Sequence, residues 1–451
     1  MSRCPQCLGS ALEAPSGAAT PWRCPSCGTR FPEVAGIPWL FAEPEFRLGE
    51  WRQRYRLLSR ESDNEQARLR QALAGKTLGG ATRQRLQRLL DGHAAHQRAL
   101  AALLAPLDLP ATVAREETLL ALRTRVPLAQ DLTSYYVNLH RDWVWGDEEN
   151  ERSLALVRDI AGARPLGRVL VLGAGGGRLA YDVHQQLGPD ETVALDLNPL
   201  LLLVAARVTG GESVELVEFP IAPQGVADVA VARRLAAPAP ARAGLGFVFA
   251  DALRAPFADA SFDTILTPWF VDIVPQDFAE VAARINRLLR PGGAWLNFGS
   301  LSFAQRDISR CYSREEVLEM LVQGGYRVAA TREVTLPYMR SPASRHSRLE
   351  AVFAFAAGKE SQAPAIEPSF NLPAWLADET LPVPLLEHFE TQALANRIYA
   401  FVMALIDGRR GIREIAQYLV EQRLMQAAEA KVAVRSFLVQ LYEESRRRTR
   451  F

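Results

Sequence analysis

The sequence predicts an α/β fold built on a mostly parallel sheet, and three observations carry that prediction. From Leu166 onward, short β-branched runs alternate with stretches of helical periodicity, the pattern of βαβ units. The first such run, R-V-L-V-L, passes directly into the glycine-rich turn G-A-G-G-G and then into a helix. That arrangement lets backbone approach a ligand closely. Two C-x2-C pairs stand within the first thirty residues, and amphipathic helices close the chain. At 451 residues the chain is too long for one ordinary domain, so smaller units are expected at both ends of a large α/β domain.

Lys plus Arg number 52 against 51 Asp plus Glu, which excludes a global positive field of the kind that draws a protein onto nucleic acid or anionic membrane. No apolar run has the form of a signal peptide or approaches the roughly eighteen residues of a spanning helix. A cytoplasmic location without membrane partners is the expectation.

Residues 1–45 are rich in Cys, Pro and Gly and too short to build a core, so they need a staple. Cys4 and Cys7, then sixteen residues, then Cys24 and Cys27 give the spacing of two knuckles on one tetrahedral zinc; only Cys311 lies elsewhere. Four thiolates leave no open coordination position, so the expected zinc is structural rather than catalytic. Residues 46–129 form a helical region whose arginines are interleaved with Glu and Asp, the pattern of a solvated helix face.

Residues 130–360 hold the α/β domain. Gly173, Gly175 and Gly177 form the turn after the first strand, and Asp196 follows nineteen residues beyond Gly177 at the end of the second strand. There a carboxylate can accept from two ribose hydroxyls. The third strand ends at Ala250-Asp251-Ala252, with the acid placed for an adenine edge. The fourth strand opens at Phe262, and Pro291-Gly292-Gly293 makes the turn before a fifth. Residues 209–246, rich in Pro and Ala, read as an insertion. Residues 361–384 read as a linker and residues 385–451 as three or four amphipathic helices with a turn at Asp407-Gly408.

This order of motifs resembles class I methyltransferases rather than nicotinamide enzymes. The resemblance implies a Rossmann-like fold and S-adenosyl-L-methionine as cofactor. The cysteine head, followed by F-P-x-x-x-G-I-P-W-L, resembles the zinc ribbon on some rRNA guanine methyltransferases.

A closer resemblance, over residues 46–358, is to the carnosine N-methyltransferase family. It is carried by N-L-H-R-D-W-V-W-G-D-E-E-N-E-R, G-A-G-G-G-R-L-A-Y, T-P-W-F-V-D-I-V, P-G-G-A-W-L-N-F-G-S-L and L-P-Y-M-R-S-P-A-S, and by the insertion with E-F-P-I-A-P. It implies that Arg141 holds the cofactor carboxylate, with Asn138 beside it where the family has glutamine. By the same resemblance Asp272 meets the substrate imidazole, and Tyr338 is a substrate-contacting tyrosine. A carboxylate on the far N–H of an imidazole fixes the tautomer and raises the nucleophilicity of the other nitrogen. The sequence departs from the family at Ala304, where a histidine is expected, and near Leu349 and Glu350, where a second tyrosine is expected.

The expected function is therefore N-methylation of an imidazole-type nitrogen in a small molecule or histidine-containing peptide. Two alternatives stay open: an RNA methyltransferase of rRNA type, and a non-catalytic scaffold that binds the cofactor. Residues 399–445, with Leu405, Leu419 and Leu438 on apolar stripes, resemble the helical half of PqqD-like winged-helix domains that hold leader peptides. A peptide-binding module and a plain helical bundle are both compatible with that segment.

Overall fold

The computed structural model describes residues 3–9, 11–15, 21–75, 77–107, 132–303, 308–364 and 380–444. Ala304, most of the expected linker and the end of the expected helical region lie outside the described residues. The chain divides into two compact units, residues 1–367 and 368–450.

The first unit is organised by a seven-stranded sheet of order β12-β13-β11-β10-β5-β6-β9. Its strands are β5 (Arg168–Leu172), β6 (Glu191–Asp196), β9 (Leu245–Phe249), β10 (Phe262–Pro268), β11 (Leu289–Gly299), β12 (Tyr326–Tyr338) and β13 (Arg348–Lys359). The five from β11 to β9 run parallel, and β13 lies antiparallel to β11 and to β12. Val169, Leu170, Val171 and Leu172 are all buried, as expected of a central parallel strand covered on both faces, which reads as a continuous apolar run. From β5 the chain builds outward through β6 to β9, then returns to place β10 on the other side of β5. The order reverses at that point, and the crevice outside the carboxyl ends of β5 and β10 is where such sheets bind ligands. The fold is a Rossmann-like α/β fold.

The expected turn at residues 291–293 instead lies within β11, which begins at Leu289; a bulge takes up the extra residues, with Phe262 opposite Leu289 and Thr264 opposite Ala294. The insertion likewise carries strands that composition did not reveal: β7 (Val214–Glu218) and β8 (Val231–Leu235) form an antiparallel hairpin.

Two long helices, α1 (Pro44–Leu73) and α2 (Gly80–Leu104), pack together and bury Leu48, Trp51, Leu58, Leu100, Leu103 and Leu104 in the core. Arg47 and Arg54 both pair with Glu50 on α1, at 2.9 and 3.0 Å. The short α3 (Tyr136–His140) leads through a five-residue π-helical turn, Arg141–Trp145, into α4 (Asp147–Ala161). Helices α5 (Arg178–Gln186) and α6 (Pro199–Thr209) follow β5 and β6. α7 (Phe278–Leu288) precedes β11, and α8 (Arg314–Gln323) precedes β12. Ser313 and Glu316 form a reciprocal capping box at the start of α8.

The cysteine head is docked on the sheet. Its strands pair as β1 (Trp22–Arg23) with β2 (Arg30–Phe31) and β3 (Glu33–Val34) with β4 (Ile37–Pro38). The apolar run that follows meets the exposed edge of β9: Leu40 N donates to Phe249 O at 2.8 Å, and Trp39 bridges Phe249 in parallel register. The Trp39 ring is fully buried, 4.7 Å from Phe41 and 5.3 Å from Phe249 between centroids. This covers a sheet edge that would otherwise present unpaired amides and carbonyls.

The second unit consists, among the described residues, of three helices, α9 (Glu387–Ala404), α10 (Ile412–Glu421) and α11 (Ala427–Glu444), and no strand. Val402, Leu405, Ile415, Ala416, Leu419, Ala430 and Val434 form its core, with Leu438 partly buried against it. Asp407 Oδ1 accepts from the Arg409 and Arg410 amides at 2.9 Å each, closing the turn at Gly408. Among the described residues no helix is long and apolar enough to cross a membrane.

Candidate functional site

The site grows from the turn after β5. Gly173, Gly175 and Gly177 have φ of 66°, 55° and 81°, a region that glycine enters without a Cβ penalty. A Cβ on Gly177 would stand 2.8 Å from Ala205 Cβ, so this glycine seats α5 against α6. A Cβ on Gly175 would meet nothing within 4 Å, so open space lies over the turn there. Asp196 holds the turn in place: its Oδ2 accepts from Gly175 N at 2.8 Å and its Oδ1 from Asn198 N at 2.9 Å. Burial pushes the pKa of Asp196 up, opposed by the amides of Asn198, Gly175 and Leu197. On the neighbouring strand, Asp251 Oδ1 accepts from Leu253 N at 2.9 Å and caps the one-turn helix that starts at Ala252. Ala250 N donates to Asp196 O at 3.2 Å, tying the two strand ends together.

Arg141 opens the π-helical turn, which Gly146 N closes by donating to Arg141 O at 2.8 Å. Such turns recur at functional sites because they change the direction of a side chain within a helix. The Arg141 guanidinium donates to Asp142 Oδ1 at 2.8 Å and to Glu149 Oε1 at 3.0 Å. Burial works against its charge, but the Asp142 and Glu149 carboxylates outweigh burial and hold its pKa above the ordinary value. Trp143 Nε1 donates to Gly176 O at 2.8 Å, which fixes this turn beside the glycine loop. Asn138 is partly buried one helical turn before Arg141, and its amide N donates to Tyr135 O at 2.9 Å.

Asp272 follows β10 and is 3% exposed. Its Oδ2 accepts from Ser300 Oγ at 2.7 Å and from Ser302 N at 3.0 Å. Its Oδ1 is buried and has no hydrogen-bond partner among the described residues. Desolvating a carboxylate oxygen in this way is costly, and a group left so in a native fold calls for a role. Tyr338 ends β12 with its ring 5.0 Å from Trp269 and the Arg348 guanidinium 4.5 Å over its face. Burial raises its pKa, partly offset by Arg141. The structure thus brings Asn138, Arg141, the three glycines, Asp196, Asp272 and Tyr338 to one end of the sheet, with Asp251 and Ala252 beside Asp196.

Three residues of this site escaped the sequence reading. Glu149, 5% exposed, joins Arg141 to the end of β12 because its Oε2 accepts from Met339 N at 3.0 Å. Asn198 donates from Nδ2 to Leu132 O at 3.0 Å and from its amide N to Asp196. Tyr135 lies within electrostatic reach of Tyr338, Asp196 and Asp272. The tandem tyrosines three residues before Asn138 were the available signal.

Tyr135, Trp269, Leu301 and Met339 all carry positive φ, at 63°, 51°, 51° and 54°. Left-handed backbone at bulky residues costs about 1–3 kcal/mol each and clusters where function over-determines geometry. The wall beyond them joins the insertion to the β12–β13 connection. Glu218 accepts from Arg233 at 2.8 Å and from Ser341, Gln224 N donates to Ala343 O at 2.9 Å, and Arg345 N donates to Ala222 O at 2.7 Å.

In the head, the sulfurs of Cys4, Cys7, Cys24 and Cys27 all lie within 4.8 Å of one another, the only such cluster among the described residues. Cys4 and Cys27 stand 3.8 Å apart and Cys7 and Cys24 3.7 Å, and Leu8 N→Cys4 O and Gly28 N→Cys24 O close the two knuckles at 3.0 and 2.9 Å. The set fits one structural zinc with sulfur ligands.

Residues 170–296 match the family model described as a methyltransferase domain. No curated protein matches the chain. Among solved structures, a putative methyltransferase from Bacillus halodurans is similar at 16% identity, over 47% of this chain and 100% of that one, with a TM-score of 0.34. Phosphoethanolamine N-methyltransferase 2 of Haemonchus contortus is similar at 16% identity, over 52% and 58%, with a TM-score of 0.34. The N-methyltransferase NodS of Bradyrhizobium japonicum is similar at 15% identity, over 51% and 100%, with a TM-score of 0.34. Residues 170–296 thus carry a methyltransferase domain, set on a Rossmann-like sheet.

Proposed function

We propose that this S-adenosylmethionine-dependent methyltransferase methylates a ring nitrogen of an imidazole, in a small molecule or a histidine-containing peptide. The observation that carries the reading is the Asp272 carboxylate, with Oδ2 fixed by Ser300 and Ser302 and Oδ1 buried without a partner. An imidazole N–H donating to Oδ1 would satisfy that oxygen. The same contact leaves the opposite ring nitrogen as a lone pair and stabilises the cation formed when that nitrogen takes the methyl group. Tyr338, packed on Trp269, offers a ring face and a hydroxyl beside the acceptor.

The cofactor supplies a methyl carbon on a positively charged sulfur. The open space at Gly175 and the partly buried acceptors of Asp196 fit its adenosyl part. In this reading Asp196 takes the ribose hydroxyls, Asp251 and Ala252 the adenine edge, and Arg141 with Asn138 the carboxylate end. A zinc on Cys4, Cys7, Cys24 and Cys27 holds the head together.

Incubation with labelled cofactor and, in parallel, histidine, carnosine, histidine-containing peptides and an unmodified RNA pool tests the assignment. Methylated imidazole products are expected, and label in RNA alone would overturn it. Asp272→Asn should lower kcat by about 10²–10³-fold, the scale of losing one electrostatic contact to a developing charge. Its affinity for S-adenosylhomocysteine should stay within about threefold of wild type. Unchanged kcat removes Asp272 from the chemistry.

A further inference from the structure

Resting on the reading in which the acceptor meets Asp272, we propose that Tyr135 is a positioning residue of the methyl-transfer site, its phenol closing the space between the Asp196 and Asp272 carboxylates. Three independent features place it there. The segment before it is clamped to the cofactor side, because Asn198, whose amide N donates to Asp196 at 2.9 Å, sends its side-chain amide to Leu132 O at 3.0 Å and Ser134 O at 3.4 Å. The residue itself is held at φ 63° and ψ 15°, a left-handed conformation that glycine would adopt freely. Its side chain is nevertheless large, and 45% of it faces solvent, so packing does not explain why a tyrosine rather than a glycine stands there.

The third feature is the company it keeps. The hydrogen bonds that Asn198 donates to Ser134 O and to Asp196 set Tyr135 beside the ribose side, and Asp272 and Tyr338 are near enough to act on its phenol electrostatically. Asp196, Asp272 and Tyr338 come from β6, the turn after β10 and the end of β12, which are the ribose side, the acceptor carboxylate and the acceptor wall of the proposed site. A half-exposed aromatic ring at that junction is positioned to cover an acceptor once it is seated and to exclude water from the transfer. Three other left-handed residues, Trp269, Leu301 and Met339, sit next to groups of the same site. Four of the nine left-handed non-glycine residues among the described residues thus belong to this site.

The placement makes stability and function respond in opposite directions. Tyr135→Gly relieves the left-handed backbone and removes the ring, so its melting temperature should equal or exceed that of wild type. Its KM for carnosine should rise about tenfold or more, and more than its dissociation constant for S-adenosylhomocysteine changes. Tyr135→Phe, which keeps the ring, should return KM to within about threefold. A Tyr135→Gly enzyme with wild-type KM, or one that loses stability and cofactor affinity together, overturns the proposal.

A second measurement needs no acceptor. Nitration of Tyr135 by tetranitromethane, followed by peptide mass spectrometry, should slow when S-adenosylhomocysteine is bound. If no imidazole compound is methylated, the acceptor assignment fails and this protection alone decides the placement of Tyr135. Equal nitration with and without S-adenosylhomocysteine refutes it.

Discussion

Replacing Asp196 with alanine would remove two contacts seen in the fold and one proposed for the cofactor. Gly175 N and Asn198 N would lose their acceptors at 2.8 and 2.9 Å. Asn198 is buried, so leaving its N–H unpaired costs about 1–3 kcal/mol, whereas half-buried Gly175 loses less because water can reach it; both are offset in part because a carboxylate no longer has to be kept from water. A net loss of about 1–2 kcal/mol in stability of the unliganded protein follows from those two terms. Cofactor binding loses an anionic acceptor for two ribose hydroxyls, on the order of 2–4 kcal/mol, or roughly 30- to 900-fold in Kd. Calorimetric titration with S-adenosylhomocysteine reads the second effect, and thermal unfolding without ligand reads the first. An affinity within threefold of wild type, in a variant whose melting temperature has fallen, would refute the ribose assignment. The pH dependence gives an independent check. Burial raises the Asp196 pKa in the folded state, above the unfolded value near about 4, so the charged form carries a stability penalty at neutral pH. As pH falls through the raised pKa, protonation lifts that penalty but removes an acceptor. Stability from this group should therefore rise with acidification while S-adenosylhomocysteine affinity drops, and Asp196→Asn should remove this part of the affinity profile.

The head and two buried histidines give further tests. A Cys4→Ser, Cys24→Ser protein should hold no zinc by elemental analysis, and hydrogen exchange should quicken in residues 3–40 and along β9, which receives the Leu40 amide; full zinc content would refute the site. Burial, with repulsion from neighbouring cationic groups, pushes the pKa values of His96 and His140 down to about 3. Unfolded histidine takes its proton near about 6.5, so each should cost the fold about 1.4 kcal/mol per pH unit between about 6.5 and 3, with no effect above that window. Urea unfolding of a His96→Phe, His140→Phe protein should show a flatter acid slope than wild type, and an identical slope would remove both histidines from the account.

The strands of the parallel sheet were legible because both of their faces are buried, which leaves apolar runs such as Val169 to Leu172 in the sequence. The β7–β8 hairpin was not legible. Arg233 and Arg234 interrupt β8, and what keeps Arg233 there is Glu218, a partner fifteen residues away that only the folded register reveals. The same division runs through the site. The glycine turn and Asp196 belong to one strand-turn-helix-strand unit, so their spacing was informative, and the four cysteines announced themselves by spacing alone. Glu149 and Asn198 act through contacts to Met339 and Leu132, 190 and 66 residues away, and no local pattern marks them.

The charge balance at the carboxyl ends of the strands bears on which acceptor can enter. Arg141 is already shared between Asp142 and Glu149, so a pair of carboxylates faces one guanidinium before Asp196 and Asp272 are counted. The Tyr338 phenol has a raised pKa through burial, that of half-exposed Tyr135 is raised by partial desolvation and by the nearby Tyr338, Asp196 and Asp272, and neither adds charge at neutral pH. Arg348, over the Tyr338 ring, is paired with Glu350 at 2.5 Å. Arg178 beside the glycine loop is likewise paired with Asp182, so Arg141 and Arg178 stand against Asp142, Glu149, Asp182, Asp196 and Asp272, which leaves an excess of negative charge around the transfer site. That field favours a cationic sulfonium donor and a nitrogen that becomes cationic as it accepts the methyl group. A nucleic acid would bring phosphates into the same field. Under the proposed function, this local field, rather than the near-zero net charge of the whole chain, is what supports a small or peptidic base over RNA as the acceptor.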